Sequence, residues 1–201
     1  MKKNASRTSL TYKLTLYAVL TAIEIVLAVV NIPMPAGLSI TFNMIPVAVA
    51  GIAMGPVGGM VMGGIFGLIS FLQCFGLLGY SGMGAALVQI SPVLTFVQRF
   101  GSRLLMGLIA ALIYRLLCKK TNVYVGSAVT GFSSAFFNTL FFMGSLVLLF
   151  GNSEYMQNSM AGRGFFTYII AAVGVNGLVE MIVATVVTGA VGAALRKARL
   201  I

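Results

Sequence analysis

The sequence predicts an all-α membrane protein of six transmembrane helices, with N- and C-termini cytoplasmic. Three observations carry this. The chain has 201 residues, of which 59% are hydrophobic and only 8% charged, a balance far from that of soluble domains. Its apolar residues gather in long runs separated by polar or glycine- and proline-marked segments. Its basic residues sit at the ends of those runs, nearly all at ends that share one side. One bundle fits this length, so residues 1–201 form a single domain.

Residues 1–13 are basic and polar, with Lys2, Lys3, Arg7 and Lys13. The apolar run 14–30 is about long enough to span, and no small-residue cleavage site follows it. It reads as the first helix rather than a signal peptide. Ala18 and Ala22 share one face and permit close approach of another helix. Glu24 lies near the middle of this run, so it is protonated, paired or turned to a polar interface. Residues 31–43 contain Pro33, Pro35 and Gly37 and form an outer loop, with a short extended piece at 38–42.

A short second helix covers 44–54, with Pro46 in its first turn. Gly55-Pro56 makes a sharp inner turn, and a third helix covers 57–73. Gly55, Gly59, Gly63 and Gly67 recur every fourth residue and line one helix face, where another backbone packs closely. Residues 74–97 are uncharged and punctuated by Gly76, Gly79, Gly82, Gly84 and Pro92. They predict a long outer loop with amphipathic pieces, a candidate lid. The fourth helix is 98–117, followed by an inner turn at 119–122. The fifth is 123–150, the polar outer loop is 151–164, and the sixth is 165–195.

Net charge is +10, from 13 Lys and Arg against 3 acids. Lys2, Lys3, Arg7, Lys13, Arg115, Lys119, Lys120, Arg196, Lys197 and Arg199 fall inside, and only Arg99, Arg103 and Arg163 outside. This distribution reports topology and contact with anionic lipid, not nucleic-acid binding. The chain lacks His and Asp, and its acids are Glu24, Glu154 and Glu180. That excludes histidine-based triads, zinc-dependent hydrolysis and paired-aspartate proteolysis. There is no P-loop pattern, so the chain itself does not hydrolyse ATP that way. Cys74 and Cys118 fall near opposite faces and do not pair. No catalytic residue, metal or cofactor is implied.

Arg99 and Arg103 lie one turn apart at the outer end of the fourth helix, where the positive-inside rule does not explain them. They snorkel to lipid phosphates, or they meet another helix or an anionic ligand. Arg103, the deeper, favours the latter. Asn138 lies in the fifth helix, and Asn176 and Glu180 share a face of the sixth. Such residues commonly hydrogen-bond between helices. Set opposite the arginine helix, they would line a cavity open to the outside, suited to a small anionic solute bearing hydroxyls or amides. No nucleophile–base pair is visible, so binding is favoured over catalysis.

Several short patterns then occur in order: Ala18-Val-Leu-Thr-Ala22, Ile45-Pro46-Val47, Gly55-Pro56 before a glycine-rich helix, Phe66-Gly67-Leu68-Ile69-Ser70, Arg103-Leu-Leu-Met-Gly107, Asn138-Thr139 and Asn176-Gly-Leu-Val-Glu180. Over almost the whole chain this resembles the membrane-embedded substrate-binding (S) components of energy-coupling factor (ECF) vitamin transporters, and most of all the pantothenate-type branch. The resemblance implies a multi-pass protein of the bacterial plasma membrane. It implies no enzymatic activity of its own, and work with a transmembrane coupling subunit and two ABC ATPase subunits. It further implies that Ala18 and Ala22 dock on the coupling subunit, and that the subunit tips in the bilayer to release its vitamin. Arg103, Arg99, Asn138, Asn176 and Glu180 would hold the vitamin. Pantothenate, with a carboxylate, an amide and two hydroxyls, suits that set. Another vitamin (riboflavin, folate, pyridoxine or a relative) is the alternative, as is a stand-alone small-solute transporter, against which stands the lack of a repeat between halves.

Overall fold

The computed structural model describes residues 10–30, 32–33, 39–160, 162 and 164–201. Lys2, Lys3, Arg7 and Arg163, which enter the charge argument, lie outside the described residues. Helix α1 is Leu10–Val29. A two-residue strand β1, Ile32–Pro33, pairs antiparallel with β2, Ser39–Ile40; β2 falls within the extended piece expected at 38–42, whereas β1 lies outside it. Then follow α2 (Met44–Leu72), a 3₁₀ turn (Gln73–Phe75), α3 (Gly82–Ile90), α4 (Pro92–Phe96), a π turn (Val97–Gly101), α5 (Ser102–Leu117), α6 (Val123–Phe150), α7 (Glu154–Met160) and α8 (Phe165–Lys197). Five stretches among the described residues are long and apolar enough to cross a membrane: Leu10–Val29, Met44–Phe75, Pro92–Leu117, Val123–Phe150 and Asn176–Lys197. Leu14, Val26, Leu116, Leu148 and Ile182 point outward, which suits lipid rather than water.

The count of five, against the six expected, comes from α2. Its residues form one continuous element broken only at Gly55, whose φ of 77° and ψ of −167° are accessible to glycine and strained for other residues. The break reverses the chain. Before it, Val47 lies beside Gly107 of α5 and Gly51 beside Ala111. After it, Gly59 meets Gly107 and Ala111, Gly63 meets Arg103 and Gly67 meets Phe100. The two arms therefore run in opposite directions along α5. The first arm, 44–54, is only about 16 Å long and too short to cross a bilayer alone.

A second departure concerns 74–97, which is mostly helical rather than an open loop. Ser81 caps α3, its Oγ accepting from Gly84 N at 3.2 Å. Ser91 caps α4 in the same way, accepting from Leu94 N at 3.3 Å, and Pro92 opens the first turn. The fourth apolar helix thus begins at Pro92 instead of residue 98 and runs to Leu117. Met83 and Leu87 of α3 pack with Met143, Leu146 and Phe150 of α6 and Met156 of α7, a small apolar core over one end of the bundle. The polar segment 151–164 contains α7, which was not anticipated.

Glycines set the helix spacing. A Cβ at Gly63 would run into the Arg103 carbonyl oxygen, and one at Gly131 into the Ala184 carbonyl oxygen. Ser127 lies against Gly192 and Gly131 against Ala184 and Thr188, which fixes the antiparallel register of α6 and α8. Tyr12 Oη donates to the Leu200 carbonyl at 3.5 Å, so the start of α1 and the end of α8 meet. Tyr114 lies beside Gly126 at that same end. Lys13, Arg115, Lys119, Lys120, Arg196, Lys197 and Arg199 therefore gather at one end of the bundle. Cys74 is buried, Cys118 is exposed, and both are free.

Gly131→Ala should destabilise the detergent-purified protein by about 1–3 kcal/mol, because a backbone carbonyl occupies the space its Cβ needs. Gly144→Ala, at an open helical position, should leave the melting temperature unchanged or raise it. Equal melting shifts for the two would show that this contact does not set the α6–α8 distance.

Candidate solute-binding site

Because the helix begins at Pro92, Arg99 and Arg103 lie about 10 and 16 Å along it rather than at its mouth. Both are buried, at 4% and 6% exposure, which rules out snorkelling to lipid. The π turn widens the helix at Arg99, and Ser102 Oγ donates to Gln98 O at 2.6 Å within it. Gln98 is itself buried and donates through Nε2 to Phe142 O at 3.3 Å.

The two arginines have different surroundings. Arg99 Nη1 donates to Ser70 O at 3.3 Å and Ser70 Oγ at 2.9 Å, and its Nη2 donates to Ser81 Oγ at 2.9 Å. It thus ties the far end of α2 to the cap of α3. Arg103 Nη1 donates to Arg99 O at 3.2 Å and Ser102 Oγ at 3.3 Å, both on its own helix. Its guanidinium carbon lies 4.7 Å from the centre of the Phe66 ring and 4.8 Å from that of Phe142. Two aromatic rings stabilise the cation, and Nη1 is the one nitrogen of this guanidinium with a hydrogen bond among the described residues. Both Nε atoms are buried without a partner.

Acids and amides approach the same interior from other helices. Glu180 is buried, and its Oε1 accepts from Thr41 N at 2.9 Å, linking α8 to the segment after β2. The α6–α8 register brings Asn138 to the level of Glu180, one turn from Phe142 on the same face of α6. Asn138 is buried, and its Oδ1 has no partner. Asn176 is half-buried, one turn from Glu180 on α8. Arg103 is within Coulombic reach of Glu180 and of Glu24, yet it makes no ion pair among the described residues. Glu24, on α1, is fully buried with both carboxylate oxygens unpartnered.

The five residues singled out from the sequence thus fall on three helices around one interior. Arg103, Arg99, Asn138 and Glu180 are buried there, and Asn176 is at the margin. Sequence reasoning passed over Phe142, Ser81 and Gln98. A single phenylalanine among 14, or a serine in a glycine-rich stretch, carries no signal of its own. Among the described residues no cluster of His, Cys, Asp and Glu suits a metal ion. The arrangement offers a held cation, unpaired amide and carboxylate acceptors, and no nucleophile beside a base.

The family model for the substrate-specific component of ECF transporters matches residues 12–192, from the first turn of α1 almost to the end of α8. No individual curated protein matches the chain. With that match over most of its length and apolar helices able to cross a bilayer, the chain belongs to the ECF transporter substrate-specific component family, membrane-embedded subunits of importers that bind a small molecule and are not enzymes.

Proposed function

We propose that this chain captures pantothenate at the outer face of the membrane for an ECF importer. The observation that carries the reading is Arg103, a buried guanidinium between Phe66 and Phe142 with no carboxylate against it. An ion so placed carries a desolvation cost of several kcal/mol, which a solute carboxylate in the plane of the guanidinium would offset. Asn138 and Asn176 would meet the amide and hydroxyls of the solute, and Glu180, steadied by Thr41, would accept from a hydroxyl. Arg99 contributes positive field, its hydrogen bonds being made to Ser70 and Ser81. Folate also has carboxylates for Arg103. Pantothenate is favoured because a compact solute with one carboxylate, one amide and two hydroxyls matches Arg103, which has no carboxylate partner among the described residues, and the two amides.

Counting the short first arm of α2 together with the segment that leads into it as one pass, and the second arm as another, gives six passes. The end rich in lysine and arginine, where α1 begins and α8 ends, is then the cytoplasmic one. Ala18 and Ala22 are exposed on the side of α1 turned away from Leu20, Glu24 and Ala28, which support the reading that they form the docking face for the coupling subunit. Two ATPase subunits would power release by tipping the loaded protein.

Truncating one member of a buried charge pair costs about 2–5 kcal/mol, so Arg103→Ala should weaken pantothenate binding roughly 30-fold to several thousand-fold. Arg103→Lys should recover part of this, lacking the two-pronged contact. Isothermal titration with pantothenate and with its alcohol, pantothenol, tests the assignment. The Arg103→Ala loss should be confined to the carboxylate-bearing molecule, and equal losses for both would remove the anion-binding role.

Ala22→Leu should prevent co-purification with the coupling subunit while leaving solute affinity within about twofold, a large side chain blocking close helix approach. Normal assembly of Ala18→Leu and Ala22→Leu would move the docking face elsewhere.

Ser81→Ala removes both the α3 cap and a partner of Arg99, a loss of about 0.5–2 kcal/mol from the cap alone. Hydrogen exchange across 76–91 should quicken in this variant and slow in wild type when solute binds. Exchange indifferent to solute would show that α3 is not a lid.

A further inference from the structure

We infer that Glu24 is a second recognition group of this site. It receives the N–H or O–H donors at one end of a solute whose anionic end is held by Arg103. This rests on the reading of the interior as the solute site and adds the chemistry at its far side. The buried residues of helix α1 are Leu20, Glu24 and Ala28, at four-residue spacing, with Leu16 and Tyr17 packed partly buried beside them. The middle of such a stripe is where an apolar side chain would bury most area. A carboxylate stands there instead, at 0% exposure, with neither oxygen hydrogen-bonded. Asn43 is close enough to the carboxylate to ease its burial in part, but its Nδ2 hydrogen bond, at 2.8 Å, goes to the Glu24 main-chain carbonyl. Burying a carboxylate this way destabilises the empty protein, and a buried acceptor without a donor is unusual in a native fold.

The surroundings indicate what fits. Arg103 on α5 lies within Coulombic reach of Glu24 on α1 and of Glu180 on α8, and it forms a salt bridge with neither among the described residues. Glu180 is partly engaged by Thr41, and Arg99 by Ser70 and Ser81. Arg103 and Glu24 are the cation and the acid least engaged by other helices, one donor and one acceptor: Arg103 Nη1 bonds only within its own helix, and neither Glu24 oxygen accepts a hydrogen bond. A molecule that is only anionic would satisfy the first and leave the second stranded. A molecule with a carboxylate at one end and hydroxyl, amide or amine donors at the other satisfies both, and it bridges α1 to α5.

The test uses the purified full chain with Glu24→Gln and Glu24→Leu, probed with pantothenate and pantothenol, and melting curves of the solute-free proteins. A hydrogen bond to a charged group lost on binding corresponds to roughly a tenfold to hundredfold weaker Kd. Glu24→Gln should lose about that much and Glu24→Leu at least as much. Both probes should suffer alike, because their donor ends are identical, in contrast to the carboxylate-selective loss in Arg103→Ala. The solute-free melting temperature of both variants should hold or rise, as an unpartnered buried carboxylate has been removed. Unchanged pantothenate affinity in Glu24→Gln overturns the inference, as does a melting temperature lowered in both variants, which would mark a structural role. If wild type does not bind pantothenate, the vitamin assignment fails separately. Mass spectrometry of the molecule that co-purifies then decides: its loss from Glu24→Gln with stability kept supports Glu24, equal retention overturns it, and a wild type that retains none overturns both readings.

Discussion

Backbone contact between α2 and α5 is the constraint on which the rest of this protein depends. Gly59, Gly63 and Gly67 place the second arm of α2 against Gly107, Arg103 and Phe100, at distances no side chain would allow. In a bilayer no hydrophobic force drives helices together, so close van der Waals approach has to do so. That approach settles the rotation of α5 about its own axis. With Gly107 and the main chain of Arg103 pressed on α2, the arginine side chains turn into the bundle and not toward lipid. Phe66, one turn along the same arm, then lies over the Arg103 guanidinium.

The hairpin at Gly55 serves the same end. One continuous helix would present a single face to α5, whereas the reversal lets two arms straddle it, Val47 and Gly51 on one side and Gly59 on the other. Only a glycine permits the required backbone, and the proline that follows starts the next helix without needing an amide partner. The short first arm also brings Asn43 and Thr41 to the depth of Glu24 and Glu180, where their polar atoms meet those two acids or their main chain. The interior polar groups thus come from α1, the α2 approach, α5, α6 and α8 together, and no single helix could supply them.

Arg99 and Arg103 divide two tasks that neighbouring identical side chains often share. The π turn moves Arg99 toward Ser70 and Ser81, where its hydrogen bonds are met by the protein and it holds the capping segment α3 in place. Arg103, a turn deeper, makes its hydrogen bonds within its own helix. The methionine-rich contact of α3, α6 and α7 packs the same α3 whose cap Arg99 holds, with soft, adaptable side chains.

The sequence by itself determined the membrane class, most of the long apolar helices, the reversal at Gly55-Pro56 and the close-packed glycine face, and it singled out Arg103, Asn138 and Glu180 as polar groups inside them. Those follow from local rules: hydrophobic length, charge placement, and the cost of a polar group in hydrocarbon. Only the tertiary structure decided that 74–97 is capped helix, that the arginine helix starts at Pro92, and that Arg99 is engaged by serines while Arg103 is sandwiched by phenylalanines. Glu24 was visible as an oddity, but its isolation was not, because a missing partner is a property of the whole neighbourhood. Periodicity shows which residues share a face. It does not show which faces meet, and the pairing of Arg103 with Phe66 and Phe142 arises from three helices whose rotations are set by glycines elsewhere in the chain.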